Sequence, residues 1–373
     1  HALTKNRCPD GGQYLPFRHP QFSSEEMDAL LQQPSAHCIA TVLNKLFNLN
    51  LTGWDVEFAI GRYPLRTKTL QHKISVAEVW HTPGYQFDRI LKALSHRISK
   101  DSSVISEWMQ IAVRAAMLFG VFADLRKQDV QNADISCVSG DFLMPISAWY
   151  AQHWGLPISN IICCCNENNS LWDLHCHGQL RTDAVSIPTI LPSADVVIPQ
   201  HLERLIYEYG GIAETKLYLD RCRKGMTYYP PDSILAKFRR DIYISVVSSH
   251  RITTIIPSVY RTHGQLLSSA TALAYAGLMD HRTKTGSTGY AIVWSEESPA
   301  ADASAVSRIL CQKVRDILSC PFGKVHVCSC PTSLQNFADF SAEVLLPHSV
   351  HSKSASKVGR CRMSSACENK TEF

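Results

Sequence analysis

Residues 137–181 read CVSGDFLMPISAWYAQHWGLPISNIICCCNENNSLWDLHCHGQLR. The apolar run Ile135 to Val138 feeds a tight Ser139-Gly140-Asp141 turn. An apolar segment of helical length then runs to Trp154 and stops at Gly155-Leu156-Pro157, residues that end helices. A second buried run, Ile161 to Cys165, closes on Asn166-Glu167-Asn168. Strand, glycine turn, helix and strand in that order predict a βαβ unit. A glycine turn that opens a helix after a strand lets backbone N–H groups cradle a phosphate. The same geometry also serves as a plain crossover connection, so both readings stand at this point.

Around this unit the chain alternates apolar runs of two lengths. Cys8-Pro9-Asp10-Gly11-Gly12-Gln13-Tyr14-Leu15-Pro16 is a turn cluster with a short extended end. Ser23-Ser24-Glu25-Glu26 offers a helix start, and Ile39, Val42, Leu43 and Leu46 carry a helical period within a stretch, 36–73, that reads as helical throughout. Val76 to Trp80 reads as a strand and leads through His81-Thr82-Pro83-Gly84-Tyr85-Gln86-Phe87-Asp88-Arg89 into a helix ending near Arg97. Residues 104–127 are apolar nearly all round, which predicts a helix buried on most sides. Ile242 to Val247 and Tyr290 to Trp294 read as further strands, with a helix from Ser268 to Leu278 between them. Glu203 and Arg204 read as a surface pair on a helix. Strands alternating with helices predict an α/β fold, a mostly parallel sheet flanked by helices.

At 373 residues, 45% hydrophobic and 19% charged, the composition is that of a globular chain large enough for a sizeable core. A net charge of +4 points to no nucleic-acid or membrane partner, and no apolar run is read as membrane-spanning. The fourteen cysteines include no Cys-x-x-Cys pair, and the one Cys/His knot, His175-Cys176-His177, has no matching partner pair, so no metal site is expected. Reduced, buried thiols and a cytoplasmic location follow from that usage. The chain starts at His1, so its native N-terminus is expected to lie elsewhere.

Several of these motifs, in this order, make the sequence resemble threonine synthases, fold-type II enzymes that use pyridoxal phosphate (PLP). Pro9-Asp10-Gly11-Gly12 matches the family's Pro-Asp-Gly-Gly opening, and Gly155-Leu156-Pro157, Asn166-Glu167-Asn168, Pro192-Ser193-Ala194-Asp195 and Leu202-Glu203-Arg204-Leu205 match later scaffold motifs. The resemblance covers roughly residues 5–320 and implies a tryptophan-synthase-β-like fold with a PLP-phosphate loop at Ser139, Gly140, Asp141 and Phe142. It also implies the order of parts: an N-terminal segment 1–75, the remnant of the PLP-lysine region 76–103, and a large α/β domain 104–346. Residues 347–373, Ser/Lys-rich and without a hydrophobic period, read as a disordered tail.

The departures fall where the family touches coenzyme or substrate. Aligned without gaps on His81 and Phe87, the Schiff-base lysine position holds Asp88, and a carboxylate forms no imine. Lys92, one helical turn on, is the nearest substitute, and also reads as an ordinary solvated helix lysine. The phosphate loop has Asp141 for an asparagine and Leu143-Met144 for Gly-Asn, placing a carboxylate where phosphate would sit. A small domain, on the order of 90 residues, is missing between the helix carrying Lys92 and the one after Ser103. Ser268 stands for a family histidine, and Glu296 takes the place of the hydroxyl residue that faces the pyridine nitrogen. Glu296 reads either as a partner for a protonated ring nitrogen or as a solvated loop acid.

Two functions follow. One is a catalytically inactive threonine-synthase-like protein, with PLP lost or weakly bound, that takes a phosphorylated metabolite or a protein partner, or pairs as a homodimer. The other is an active PLP-dependent lyase or synthase working on O-phosphohomoserine or a related amino acid through a relocated lysine. A third reading is a damaged or mis-spliced gene product that lacks its small domain.

Overall fold

The computed structural model describes residues 12–16, 19–60, 66–71, 73–80, 92, 94, 96, 106–299 and 303–310. Its centre is a six-stranded sheet: β1 (Arg66–Gln71), β2 (Ile74–Glu78), β3 (Ala133–Val138), β4 (Ile158–Cys165), β5 (Ile242–Val246) and β6 (Ala291–Ser295). They lie in the order β1-β2-β6-β3-β4-β5. All neighbours are parallel except β1, which pairs antiparallel with β2 at the edge. The α/β fold with a mostly parallel sheet is as the sequence pattern predicts.

Nearly uninterrupted apolar strands need cover on both faces, and each face has its own core. On β4, Ile161, Cys163 and Cys165 enter the larger core, while Ile162 and Cys164 enter the smaller one. The three consecutive cysteines are therefore ordinary alternating strand residues, all buried. Burial pushes the Cys164 thiol up to about 12.

The larger core is built on α1 (Ser24–Leu31), α2 (Ser35–Phe47), α4 (Glu107–Arg126) and α5 (Leu143–His153). The α1 start is a capping box, Ser23 accepting from Glu26 N while the Glu26 carboxylate accepts from Ser23 N. Helix α4 is long and apolar enough to cross a membrane, which the sequence reading did not credit to any run, but 89% of that stretch is buried inside the protein. The smaller core packs α9 (Ser249–His263) and α10 (Ser269–Thr285) on the opposite face. Gly277 of α10 lies against the sheet, where a Cβ would press on Cys164, 3.1 Å from its Cβ. Helices α6 (Ser170–His177), α7 (Leu202–Arg223, kinked at Gly211) and α8 (Asp232–Asp241) complete the β5 side, and α11 (Ala303–Leu310) follows β6.

One local expectation is corrected. Residues 36–73 are not helical throughout: α2 ends at Phe47, α3 spans Gly53–Ile60, and Arg66–Gln71 forms β1. Its sequence, RTKTLQ, lacks an apolar alternation because an edge strand is half solvated, and its lysine and threonines suit that position. Elsewhere, Pro192–Ala194 forms a 3₁₀ turn.

Candidate functional site

In open parallel sheets, ligand sites form beyond the carboxyl ends of the strands, where the chain order reverses. Here β6 inserts between β2 and β3 after β3, β4 and β5 have run outward. Pairing of β3 with β6 ends at Ser136 opposite Val293, short of the ends of both strands, and beyond it Glu296 and Arg114 both act electrostatically on Asp141. Val79 N donates to Ser295 O at 3.0 Å, and Ser139 N donates to Cys164 O at 2.8 Å. The ends of β2, β6, β3 and β4 therefore form one edge, and it gathers Ser139, Gly140, Asp141, Phe142 and Glu296.

The turn itself is tight. Phe142 N donates to Ser139 O at 2.7 Å, with Gly140 at φ +41° and Phe142 at φ +75°. A buried phenylalanine in the left-handed region is strained, and full burial of its ring holds it there. The Asp141 carboxylate has a local partner: its Oδ1 accepts the Leu143 N–H at 3.1 Å and so caps the start of α5. Its other oxygen lies 3.8 Å from Nε2 of buried His201. Burial raises the Asp141 pKa, partly offset by the Leu143 N–H and by Arg114, while Glu296 adds to the rise. The carbonyl of Ser193 stands 3.4 Å from where a Cβ on Gly140 would be, an ordinary contact, so the positive φ is what favours glycine there.

Glu296 is ion-paired rather than a freely solvated loop acid. Arg114 donates from Nε and Nη2 to its two carboxylate oxygens, each at 2.8 Å, and the Trp294 indole N–H donates to Oε1 at 2.8 Å. Arg114 also donates to Gln110 O at 3.3 Å from Nη1. The side chains are 7% and 23% exposed, so this bidentate pair is largely withdrawn from water. The signal for Arg114 was legible: it is the one charge inside the apolar run Trp108 to Ala123, and a buried charge needs a partner.

Ser268, which stands for the family histidine, caps α10 through Thr271 N at 3.2 Å. From it a hydroxyl chain passes through Thr271 to Ser295, which also accepts the Trp80 indole N–H at 3.1 Å. Next to this chain, buried Gln265 donates to buried Glu78, two site-edge residues the sequence reading passed over. The apolar pocket lined by Leu174, Leu205, Tyr228 and Phe238 lies instead among α6, α7 and α8 and takes no part in this edge.

The remaining motifs are scaffold. Asn166 and Asn168 both donate to Asp195, and Glu167 accepts from Ser249 N and Oγ at the start of α9. The expected surface pair on α7 is buried instead, Glu203 at 5% and Arg204 at 1% exposure. Arg204 donates to Tyr14 O and lies 3.5 Å from Glu107, so it ties the N-terminal turn segment to α4. Position 88 lies outside the described residues. Lys92 has helical backbone and is exposed. Among the described residues no group of three His, Cys, Asp or Glu side chains could hold a metal ion.

No family model matches the sequence. Threonine synthase-like 1 of Homo sapiens is 29% identical over 146 residues, 38% of this chain and 19% of that protein. Threonine synthase of Pseudomonas aeruginosa is 27% identical over 148 residues, 38% of this chain and 31% of that protein. The matched stretches thus span well under half the length of the curated relatives. In fold, the PLP-bound threonine synthase of Brucella melitensis superposes with a TM-score of 0.72 at 16% identity, covering 92% of this chain and 96% of that one. The yeast threonine synthase gives 0.70 at 14% identity, covering 92% and 94%. Part of the chain is thus similar in sequence to threonine synthases, and its fold matches theirs.

Proposed function

We propose that this threonine synthase-like protein is catalytically silent and binds a small phosphorylated metabolite at the carboxyl edge of its sheet. The observation that supports it most directly is the state of Glu296. At the place where the resembled family has a hydroxyl residue beside the coenzyme ring, a carboxylate is fastened to Arg114 and Trp294. The phosphate turn gives a second disagreement, because the carboxylate of Asp141 already takes the Leu143 N–H. These residues do not fit PLP held as in an enzyme of this class. In the sequence, Asp88 offers no imine-forming amine, and the exposure of Lys92 suits a solvated lysine better than a relocated catalytic one.

The test is incubation of the full chain with PLP, borohydride reduction and mapping of labelled lysines. The expected result is no stoichiometric labelling and no visible absorption band of lysine-bound coenzyme. A single lysine labelled to completion would overturn the reading in favour of a working PLP lyase or synthase. If that lysine were Lys92, loss of activity in Lys92→Ala would complete the case.

A further inference from the structure

The geometry points to an oxyanion receptor at this edge, made of the Arg114 fork and the Trp294 indole N–H, with Glu296 as its internal occupant. A small carboxylate or phosphate enters by displacing that side chain. Three N–H donors from a helix and a strand converge on one carboxylate: Arg114 Nε, Arg114 Nη2 and Trp294 Nε1, each at 2.8 Å. Both donor side chains are held in packed elements, α4 and β6, with Trp294 only 4% exposed. The acceptor sits in the coil just beyond β6 and is the more exposed member of the pair, 23% against 7%. Donors fixed on rigid elements, with the acceptor on a loop, make Glu296 the part that can leave. A buried guanidinium is costly without an anion, so the departure is an exchange and not a vacancy. Glu296 and Arg114 both act electrostatically on Asp141, so an oxyanion in the place of the Glu296 carboxylate lies near the Gly140 turn.

This inference rests on the proposed ligand edge, but its test reads the fork directly. Calorimetric titration of the full chain, Glu296→Ala and Glu296→Gln is run with sodium acetate and separately with inorganic phosphate, at constant ionic strength set by chloride. The expected result is that Glu296→Ala binds acetate or phosphate at least tenfold more tightly than the parent, and the preferred anion identifies the ligand as carboxylate or phosphate. Thermal melting of Glu296→Ala should rise with the same anion and not with chloride. Glu296→Gln keeps the shape with one charge fewer, shows a smaller gain, and carries the test if the alanine variant fails to fold. The gain should vanish in the Arg114→Met/Glu296→Ala double variant. Equal affinities in parent and both variants, or no binding by any of them, would overturn the proposal. Lysine labelling by PLP would sink the silent-enzyme reading and leave these titrations unaffected.

Discussion

Asn166 donates to Asp195 at 2.7 Å, and that bond joins two segments 29 residues apart in sequence. Asp195 is the hub of the whole connection. It accepts from Asn166 and Asn168 side chains, from Thr189 N and from Thr189 Oγ1. Asn168 reinforces it by exchanging two hydrogen bonds with the backbone of Ile187. The loop 186–195 is thereby fixed beside the Gly140 turn, with the Ser193 carbonyl 3.4 Å from where a Cβ on Gly140 would be. Asp195→Ala removes the acceptor of four hydrogen bonds at once. The expected loss is about 3 kcal/mol, read as a lower urea midpoint with an unchanged slope. A loss under about 0.5 kcal/mol would show the network to be dispensable.

Arg204 offers a second test of scaffold. Its buried guanidinium holds Tyr14 O and faces Glu107. Removing one partner of a buried pair leaves the other charge uncompensated, so Arg204→Ala is expected to destabilise by about 3–5 kcal/mol. Arg204→Lys keeps the charge without the planar fork and recovers only part of that. Thermal unfolding of the three proteins checks the order.

These two residues mark where the sequence was and was not legible. The strands and helices of the central unit could be read from apolar runs, because burial on both faces leaves a continuous signal in Ile135 to Val138 and Ile161 to Cys165. The helix 107–126 was legible for the same reason. Strand β1 was not, since an edge strand with one partner carries little apolar pattern. Arg204 was misread because helix periodicity reports one helix and not the segment, 190 residues earlier, that covers it. The Gly140 turn was read correctly as a turn, but the fate of Glu296 depends on an arginine 182 residues away. No local pattern carries such a distance.

Packing of α10 on the sheet gives a sharper expectation. A Cβ on Gly277 would meet Cys164 and lie 3.3 Å from Ser245 Cβ. Gly277→Ala is expected to destabilise by about 1–3 kcal/mol through overpacking. Cys164→Ala opens space at the same contact, so the double variant should lose less than the sum of the singles, by on the order of 1 kcal/mol. Strict additivity in a double-mutant cycle would contradict the contact.

Acid sensitivity follows from histidines held neutral. Burial lowers the pKa of His281, of His153 and of His175 below the ordinary value of 6.5. His281 is 4% exposed, and its ring lies edge-on to Tyr243 at 4.6 Å between centroids. The unfolded chain binds these protons more readily than the folded one. Stability is therefore intact above about pH 6.5 and is lost as pH falls through that value, by up to ~1.4 kcal/mol per pH unit for each histidine. Denaturant midpoints measured from pH 7.5 to 5 should show that fall, and His281→Gln should flatten it. A His281→Gln profile parallel to the parent would remove His281 from the account.

Asp141 tests whether the start of α5 is occupied by the protein's own carboxylate. Its Oδ1 satisfies the Leu143 N–H, and Phe142 in the left-handed region gives no side-chain cap. Asp141→Ala removes a cap, at a cost of about 1 kcal/mol at neutral pH. It also frees a backbone donor at the positive end of the helix and takes a negative charge from the turn. The variant should therefore be less stable than the parent and yet bind inorganic phosphate more tightly, a combination that simple structural damage does not produce. Asp141→Asn keeps an acceptor while removing the charge, so it should retain most of the stability and still gain affinity. Phosphate titrations and melts of all three proteins decide it. If stability and affinity fall together in both variants, Asp141 supports the turn and does not close it.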